Sequence, residues 1–385
     1  MNNWQVGGFG LYVHWPFCEA KCPYCDFNSH VVGRIDQTRW KNAYLKEIKR
    51  VARELPDRVL GSIFFGGGTP SLMAPDTVSS IIEAARGAWT CANDLEITLE
   101  ANPGSVEAGR FAAYRAGGVT RVSLGVQALN DEDLRRLGRL HNAQEARDAL
   151  DIAQKTFERV SFDLIYARQD QNADAWSQEL SDALSIGVDH LSLYQLTIEQ
   201  GTAFGDRYNR GKLRGLPDED LSADLYDITQ ELCTSAGLLR YEVSNHARPG
   251  SESRHNLVYW RYGDYAGIGP GAHGRLTLAS SRFATETPLA PGAWLHRAEN
   301  GNGEDPRRLL TPQDQAGEYL LMGLRTVEGI DMDRYQSMSG RQLDSESVQH
   351  LVDLDLVRKH DQRLFARPKG FSVLNQVVTE LLPSY

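Results

Sequence analysis

A chain of 385 residues whose 41 Lys and Arg face 51 Asp and Glu, for a formal charge of -10, has material for two or three domains of about 150 residues and for a large buried core. The acidic balance argues against nucleic acid or an anionic membrane surface as the main partner. No apolar run reaches the ~18 residues of a spanning helix, and the first seventeen residues hold no Lys, no Arg and no signal-like apolar stretch, so no transmembrane segment or secretory signal is expected and the compartment is the cytoplasm.

From the N-terminus, short β-branched or aromatic runs alternate with helix-length amphipathic stretches, the pattern of βα units. Strands are predicted over Phe9 to His14, Ser62 to Phe65, Leu95 to Leu99, Arg121 to Val126, Val160 to Tyr166 and His190 to Leu196. Helices are predicted between them, over Gln37 to Arg53, Pro75 to Arg86, Val106 to Ala116, Asn142 to Phe157 and Ala173 to Ile186. Six such units imply a parallel sheet, either a nearly closed barrel or an open doubly wound sheet. In a barrel the loops after the strand C-termini carry the chemistry. Here those loops hold Cys18 to Cys25, Gly66 to Thr69, Glu100 to Pro103, Gln127, and Asp163 with Tyr166.

Past Leu216 the rhythm changes. A helix over Asp218 to Ala236 leads to a strand over Leu239 to Val243 and then to a Gly- and aromatic-rich stretch from Ser244 to Gly274. The Pro- and Gly-containing segment Thr285 to Pro306 reads as a linker. Beyond it, helices over Pro312 to Leu324, Asp331 to Met338 and Ser345 to Asp353 precede a hairpin over Val357 to Ala366, an order similar to a small winged-helix module. The domains are accordingly divided as 1–240, a barrel, and 241–385, an α+β unit.

Three of the five cysteines lie in Cys18-x3-Cys22-x2-Cys25. Thiolates so close select an iron-sulfur cluster, zinc or copper(I) rather than disulfides, and His30 stands near enough to complete a Cys3His zinc set. Cys91 and Cys233 stand alone and read as ordinary thiols.

The run Tyr12-Val13-His14-Trp15-Pro16-Phe17-Cys18 with its following cysteines resembles the cluster loop of radical S-adenosylmethionine (SAM) proteins, in the branch that contains oxygen-independent coproporphyrinogen III oxidase. The later motifs keep that family's order: Gly66-Gly67-Gly68-Thr69-Pro70, Glu100-Ala101-Asn102-Pro103, Ser123 to Gln127, Arg139 and Asp163. The resemblance implies an α/β fold, an incomplete (β/α)6 radical SAM barrel followed by a C-terminal α+β domain with the winged-helix-like module. It implies a [4Fe-4S] cluster held by Cys18, Cys22 and Cys25, with the fourth iron taken by SAM. SAM itself would be bound by Tyr12, Tyr24, Gly67, Gly68, Thr69, Glu100, Gln127, Arg139 and Asp163.

Two departures matter. The family reads D-L-I-Y-G-L-P-x-Q where this chain has Ala167-Arg168-Gln169-Asp170-Gln171 after Tyr166, which removes a preset turn. Phe27 stands where the coproporphyrinogen oxidases carry a fourth Cys, and the chain lacks their longer N-terminal arm. Phe27 and the short arm point to the sister group of haem chaperones, which share H-N-x-x-Y-W, here His255-Asn256-Leu257-Val258-Tyr259-Trp260. The group resemblance implies haem bound at His255, Tyr259 and Trp260 and passed to acceptor proteins, with transient membrane-protein partners compatible with a chain that has no membrane span. Read without the family, the same three residues point first to a hydrogen-bonded core histidine with aromatic packing. The alternative function is a radical SAM coproporphyrinogen III dehydrogenase; no catalytic residue is singled out. Gly269 to Gly274 fits G-x-G-x-x-G but lies far past the first βα unit and lacks the acid that a dinucleotide site needs, so it reads as a close-approach loop. His273 within it is a second haem-ligand candidate but reads first as a satisfied polar residue, and His14 is expected to support the cluster loop rather than bind metal.

Overall fold

The strand β1 (Phe9–Trp15) is buried along almost its whole length, as a strand covered on both faces must be. The computed structural model describes residues 3–382. After β1 the chain alternates as predicted: α1 (Gln37–Glu54), β2 (Val59–Gly67), α2 (Pro75–Ala88), β3 (Thr90–Ala101), α3 (Ala108–Ala116), β4 (Arg121–Gln127), α4 (Ala143–Thr156), β5 (Arg159–Tyr166), α5 (Ala173–Ser185) and β6 (His190–Gln195). Each strand pairs in parallel with its successor, β1 to β2 through β5 to β6. The order continues at both ends without closing, so the sheet is an incomplete (β/α)6 barrel. Leu11, Val13, Ile63, Phe65, Ile97, Leu99, Val122 and Phe162 are buried in one apolar core with the covering helices.

The helix α6 (Glu219–Ser235) agrees with its prediction, whereas the strand after it shrinks to Leu239–Arg240. Beyond that point the chain holds more regular structure than its sequence suggests. The Gly- and aromatic-rich stretch from Ser244 contains β7 (Asn245–Ala247), antiparallel to β6, the helix α7 (Arg254–Trp260) capped by the Ser253 side chain, and β8 (Asp264–Ile268). Strand β8 lies parallel to β1 on its outer side, with Phe9 opposite Asp264. A hairpin of β9 (His273–Leu278) and β10 (Ser281–Glu286) extends the sheet further. The segment expected as a linker carries the helix α8 (Pro291–Glu299), whose Trp294, Leu295 and Ala298 are buried. Its Pro is the first residue of the helix, where a missing N–H costs nothing, so it starts structure rather than breaking it. Trp294 stacks on Trp40 of α1, ring centroids 5.5 Å apart. Residues on both sides of 240 therefore contribute strands to one sheet.

Buried charge fastens β8. The Asp264 carboxylate, fully buried, accepts from Arg58 Nη2 at 2.9 Å and Arg282 Nη1 at 3.0 Å, and from the Thr277 amide at 2.8 Å. Removing either cation would leave the buried anion half-compensated, and removing both would strand it. A second apolar core lies under α9 (Pro312–Gly323), α10 (Met332–Ser339), α11 (Ser345–Asp353), the hairpin β11 (Val357–His360) with β12 (Arg363–Ala366), and α12 (Leu374–Leu381), the winged-helix-like order expected. No helix among the described residues is long and apolar enough to cross a membrane.

The loop after β5 keeps a tight turn without the family's Gly and Pro. Ala167 takes φ of 57°, a left-handed conformation that costs an L-residue roughly 1–2 kcal/mol. Arg168 holds the turn: its buried guanidinium donates to the Ile165 carbonyl at 2.5 Å, to Glu179 at 2.5 Å and to Asp133 at 2.8 Å. A charge triad replaces a backbone preset.

Candidate functional site

The strand C-termini converge on a cavity of about 120 Å³. The short strand Phe17–Cys18 leaves β1 and pairs with His30–Val31, so the cysteine loop between them is held at both ends. The glycine loop after β2 is tied to that entry strand, with Gly68 N–H donating to the Trp15 carbonyl at 2.6 Å and Thr69 N–H to the Phe17 carbonyl at 2.8 Å. Gly67 has φ of 108°, and a Cβ there would lie 2.6 Å from the His14 ring, so both conformation and space require glycine. Cys18, Cys22 and Cys25 line the cavity with Tyr24, Gly67, Gly68, Thr69, Glu100, Asn102, Gln127, Arg139 and Asp163. Of the predicted SAM set, only Tyr12 lies outside this lining.

Polar ties cross the cavity from loop to loop. Thr69 Oγ1 donates to Cys18 Sγ at 3.4 Å, and Asn102 Nδ2 donates to Thr69 Oγ1 at 3.1 Å. Arg139 donates to Cys22 Sγ at 3.4 Å, to Asn102 Oδ1 at 2.5 Å and to the Gly125 carbonyl at 2.7 Å. Burial pushes the Cys18 and Cys25 thiols up, so a positive center would be needed to hold them as thiolates. Burial, helped by the nearby Asp163 charge, raises Glu100 to about 8, and burial raises Asp163 to about 6.

Two features fit a bound group. Gln127 takes φ of 76° at the end of β4, a strain of about 1–3 kcal/mol, and its buried Oε1 has no hydrogen-bond partner. The three thiols stand around the cavity, and no three His, Cys, Asp or Glu side chains among the described residues converge as one metal ion requires. His30, the fourth ligand of the zinc alternative, is engaged with Asn28 Oδ1 at 3.1 Å. A polynuclear cluster, which gives each thiolate its own iron, suits this donor set better than zinc.

A second pocket of about 410 Å³ adjoins the first and shares Phe27, Gly67 and Glu100 with it. Tyr12, His14, Tyr259, Tyr265, His273 and Leu289 complete much of its lining. Tyr259 is the member of the His255–Trp260 motif that reaches it. His255 sits behind, 1% exposed, stacked on Phe64 with centroids 4.9 Å apart. Its Nδ1 is bonded with Ser62 Oγ at 2.9 Å and its Nε2 with the Tyr259 hydroxyl at 2.8 Å. Burial lowers its pKa to about 3, so the ring is neutral. Trp260 is half-buried and absent from either lining, its Nε1 without a partner.

The close-approach loop behaves as expected: Gly269, at φ of 106°, lies where a Cβ would meet the His14 carbonyl oxygen at 2.2 Å. Tyr265 and Leu289 were not anticipated from the sequence. Their only signal is indirect, since Tyr265 belongs to a strand hidden by its glycine and Leu289 to a segment that reads as linker.

The sequence matches the Radical SAM superfamily over residues 12–183 and the HemN C-terminal domain over residues 310–373. The Heme chaperone HemW of Escherichia coli (strain K12) is 42% identical over 333 residues, covering 86% of each chain. The Heme chaperone HemW of Mycobacterium tuberculosis (strain ATCC 25618 / H37Rv) is 40% identical over 382 residues, covering 97% of this chain and 95% of that one. The mitochondrial Radical S-adenosyl methionine domain-containing protein 1 of Bos taurus is 38% identical over 384 residues, covering 97% and 87%. Among solved structures, coproporphyrinogen III oxidase (HemN) from Escherichia coli, described as a radical SAM enzyme, superimposes with a TM-score of 0.81 over 97% of this chain and 90% of that one. At 21% identity that likeness speaks for the fold alone.

Proposed function

The chain belongs to the HemW family of radical SAM proteins, and from that premise we propose that it is a haem chaperone, which carries a SAM-ligated [4Fe-4S] cluster, binds haem beside it and hands the haem to acceptor proteins. Cys18, Cys22 and Cys25 would hold the cluster through three thiolates, and SAM would complete its coordination. When bound, the cluster supplies an electron to SAM.

The chain's own part is to position and to exclude water. The backbone of Gly67 and Gly68, with Thr69, faces the amino-acid end of SAM. Glu100 accepts a hydrogen bond from it, and a cationic amino group there draws the Glu100 pKa back down. Gln127 offers its free Oε1, Arg139 keeps the cysteine and E-x-N-P loops in register, Asp163 closes the floor, Tyr24 forms a wall, and Tyr12 stands beyond the cavity in the adjoining pocket.

The observation that carries the haem reading is the aromatic pocket that shares Phe27, Gly67 and Glu100 with the thiol cavity and is walled by Tyr259. His255 holds Tyr259 from behind, and Trp260 packs the same short helix. Phe27 occupies the position of the oxidases' fourth Cys, so the shared wall is apolar here. The acceptors are met in the cytoplasm or at a membrane surface.

The test is an anaerobic preparation of the whole protein. It should hold about four irons and four sulfides per chain, bind haem in an equimolar complex and release it to an acceptor apoprotein. Multiple-turnover conversion of coproporphyrinogen III with SAM would overturn the chaperone reading in favor of the dehydrogenase.

A further inference from the structure

An imidazole can take a haem iron only through a ring nitrogen that no other bond occupies. Three histidines stand at or behind the aromatic pocket. His14 is bonded at Nδ1 with the Tyr12 hydroxyl at 3.0 Å and at Nε2 with the Asn28 carbonyl at 2.9 Å. His255 is engaged at both nitrogens, as described, and is buried. His273 differs from both. It lines the pocket at the start of β9 with its side chain 60% exposed. Among the described residues its polar neighbour is the Glu286 carboxylate, 3.9 Å from Nδ1, and Nε2 has no hydrogen bond. Glu286 lies directly opposite on β10. That carboxylate lies beyond hydrogen-bond reach, so neither ring nitrogen of His273 is occupied, and Glu286 is close enough to accept from Nδ1 if Nε2 takes a metal.

The carboxylates of Asp26 and Glu100 also line the pocket, but its phenols do not compete. The Tyr12 hydroxyl is bonded with His14 and the Tyr259 hydroxyl with His255. Burial pushes the Tyr265 phenol up, away from the phenolate an iron would need. Phe27, 59% exposed, and Leu289, 65% exposed, give apolar surface at the open side. None of the lining residues is a Lys or Arg, so the pocket offers haem propionates no cation and leaves them to solvent.

We propose that His273 is the iron ligand of the haem carried in this pocket, with Phe27 and Tyr265 against the macrocycle. The proposal rests on the haem-chaperone reading. It separates two roles: the His255–Trp260 helix shapes the pocket through Tyr259, and the β9 imidazole takes the metal. A ligand on an exposed hairpin, with the propionates outward, leaves the cargo accessible to an acceptor that brings its own ligands.

The test is haem titration of the whole, anaerobically purified protein and of His273→Ala and His255→Asn, read by the Soret band, by electron paramagnetic resonance of the ferric complex and by the rate of haem loss to apomyoglobin. The wild type should show imidazole ligation. His273→Ala should lose that signature and release haem about tenfold faster or more, and added imidazole should restore the band. His255→Asn should keep the imidazole signature while releasing haem faster, because Tyr259 loses its support. An unchanged spectrum and release rate in His273→Ala, or loss of imidazole ligation in His255→Asn alone, would overturn the proposal and leave the chaperone reading standing. A wild type that binds no haem would overturn both.

Discussion

Arg139 reaches three loops of the thiol cavity at once, touching Cys22, Asn102 and the Gly125 carbonyl, while across the shared wall at Gly67 the aromatic pocket is tied by a neutral residue, Asn28, whose amide donates to the Pro270 and Leu289 carbonyls at 2.9 Å each. The first site is lined by the ends of consecutive parallel strands, each tied to the next. The second is closed by elements from opposite ends of the chain, and Phe27, His273 and Leu289 stand exposed at its rim. Rigid, stitched loops suit a cofactor that must stay in one geometry. An open pocket whose polar groups are paired among themselves suits a cargo that must leave.

The sharpest way to break this comparison is to remove a thiol. Cys18→Ala, Cys22→Ala or Cys25→Ala should abolish the cluster, read as loss of the brown absorbance and of iron and sulfide, while haem still binds the neighboring pocket; loss of both together would make the two sites one. Next in size is Arg168→Ala, which leaves the buried Glu179 carboxylate without its cation. It should cost about 3–5 kcal/mol of stability, measured as a lowered urea midpoint. Glu100→Gln should weaken SAM by about 1–3 kcal/mol by calorimetric titration with haem affinity less affected, although Glu100 lines both pockets. Tyr259→Phe removes the oxygen bonded to His255 Nε2 and should raise the haem dissociation constant by about 1–2 kcal/mol with SAM affinity unchanged.

In pH dependence the two sites have opposite signs. His255 titrates lower in the folded state, near 3, than in the unfolded chain, near 6.5, so the unfolded state binds more protons between these values and stability is lost as pH falls below 6.5. Glu100 titrates higher folded, near 8, than unfolded, near 4.5, so the folded state holds the extra proton and stability is lost as pH rises from 4.5 to 8. Thermal melts of the SAM-free protein across this range should decline on both flanks. Glu100→Gln should flatten the alkaline flank and leave the acid one.

The same comparison explains what was legible. The six βα units announce themselves because buried parallel strands are short apolar runs between Gly, Pro and polar punctuation, and the strand-end motifs fall in chain order. The thiol cavity is built only from those motifs. The aromatic pocket depends on α7, a seven-residue helix too short for a periodic signal, and on β8, whose sequence Asp-Tyr-Ala-Gly-Ile resembles a turn. Pro291 reads as a breaker when it begins a helix. The bonds that occupy His255 come from Ser62 on β2 as well as from Tyr259 on its own helix, and no spacing along α7 reports Ser62. The altered loop at Ala167 was visible as a departure, but its repair by Arg168, Glu179 and Asp133 is a tertiary event.

Strand β1 is paired on one side by β2, close in sequence, and on the other by β8, with Phe9 opposite Asp264. During synthesis the first six units can assemble as they emerge, whereas the outer edge of β1 waits for the chain past residue 268 to leave the ribosome. Until then it is an open strand edge carrying Phe9, Leu11 and Val13, the kind of template that draws foreign strands. The order of birth is therefore written into the sheet: the thiol cavity can form on a nascent chain, and the pocket proposed for haem exists only once the chain has passed Leu289. A ribosome-stalled chain ending near residue 250 would be a receiver of iron and sulfide with no place yet to put haem.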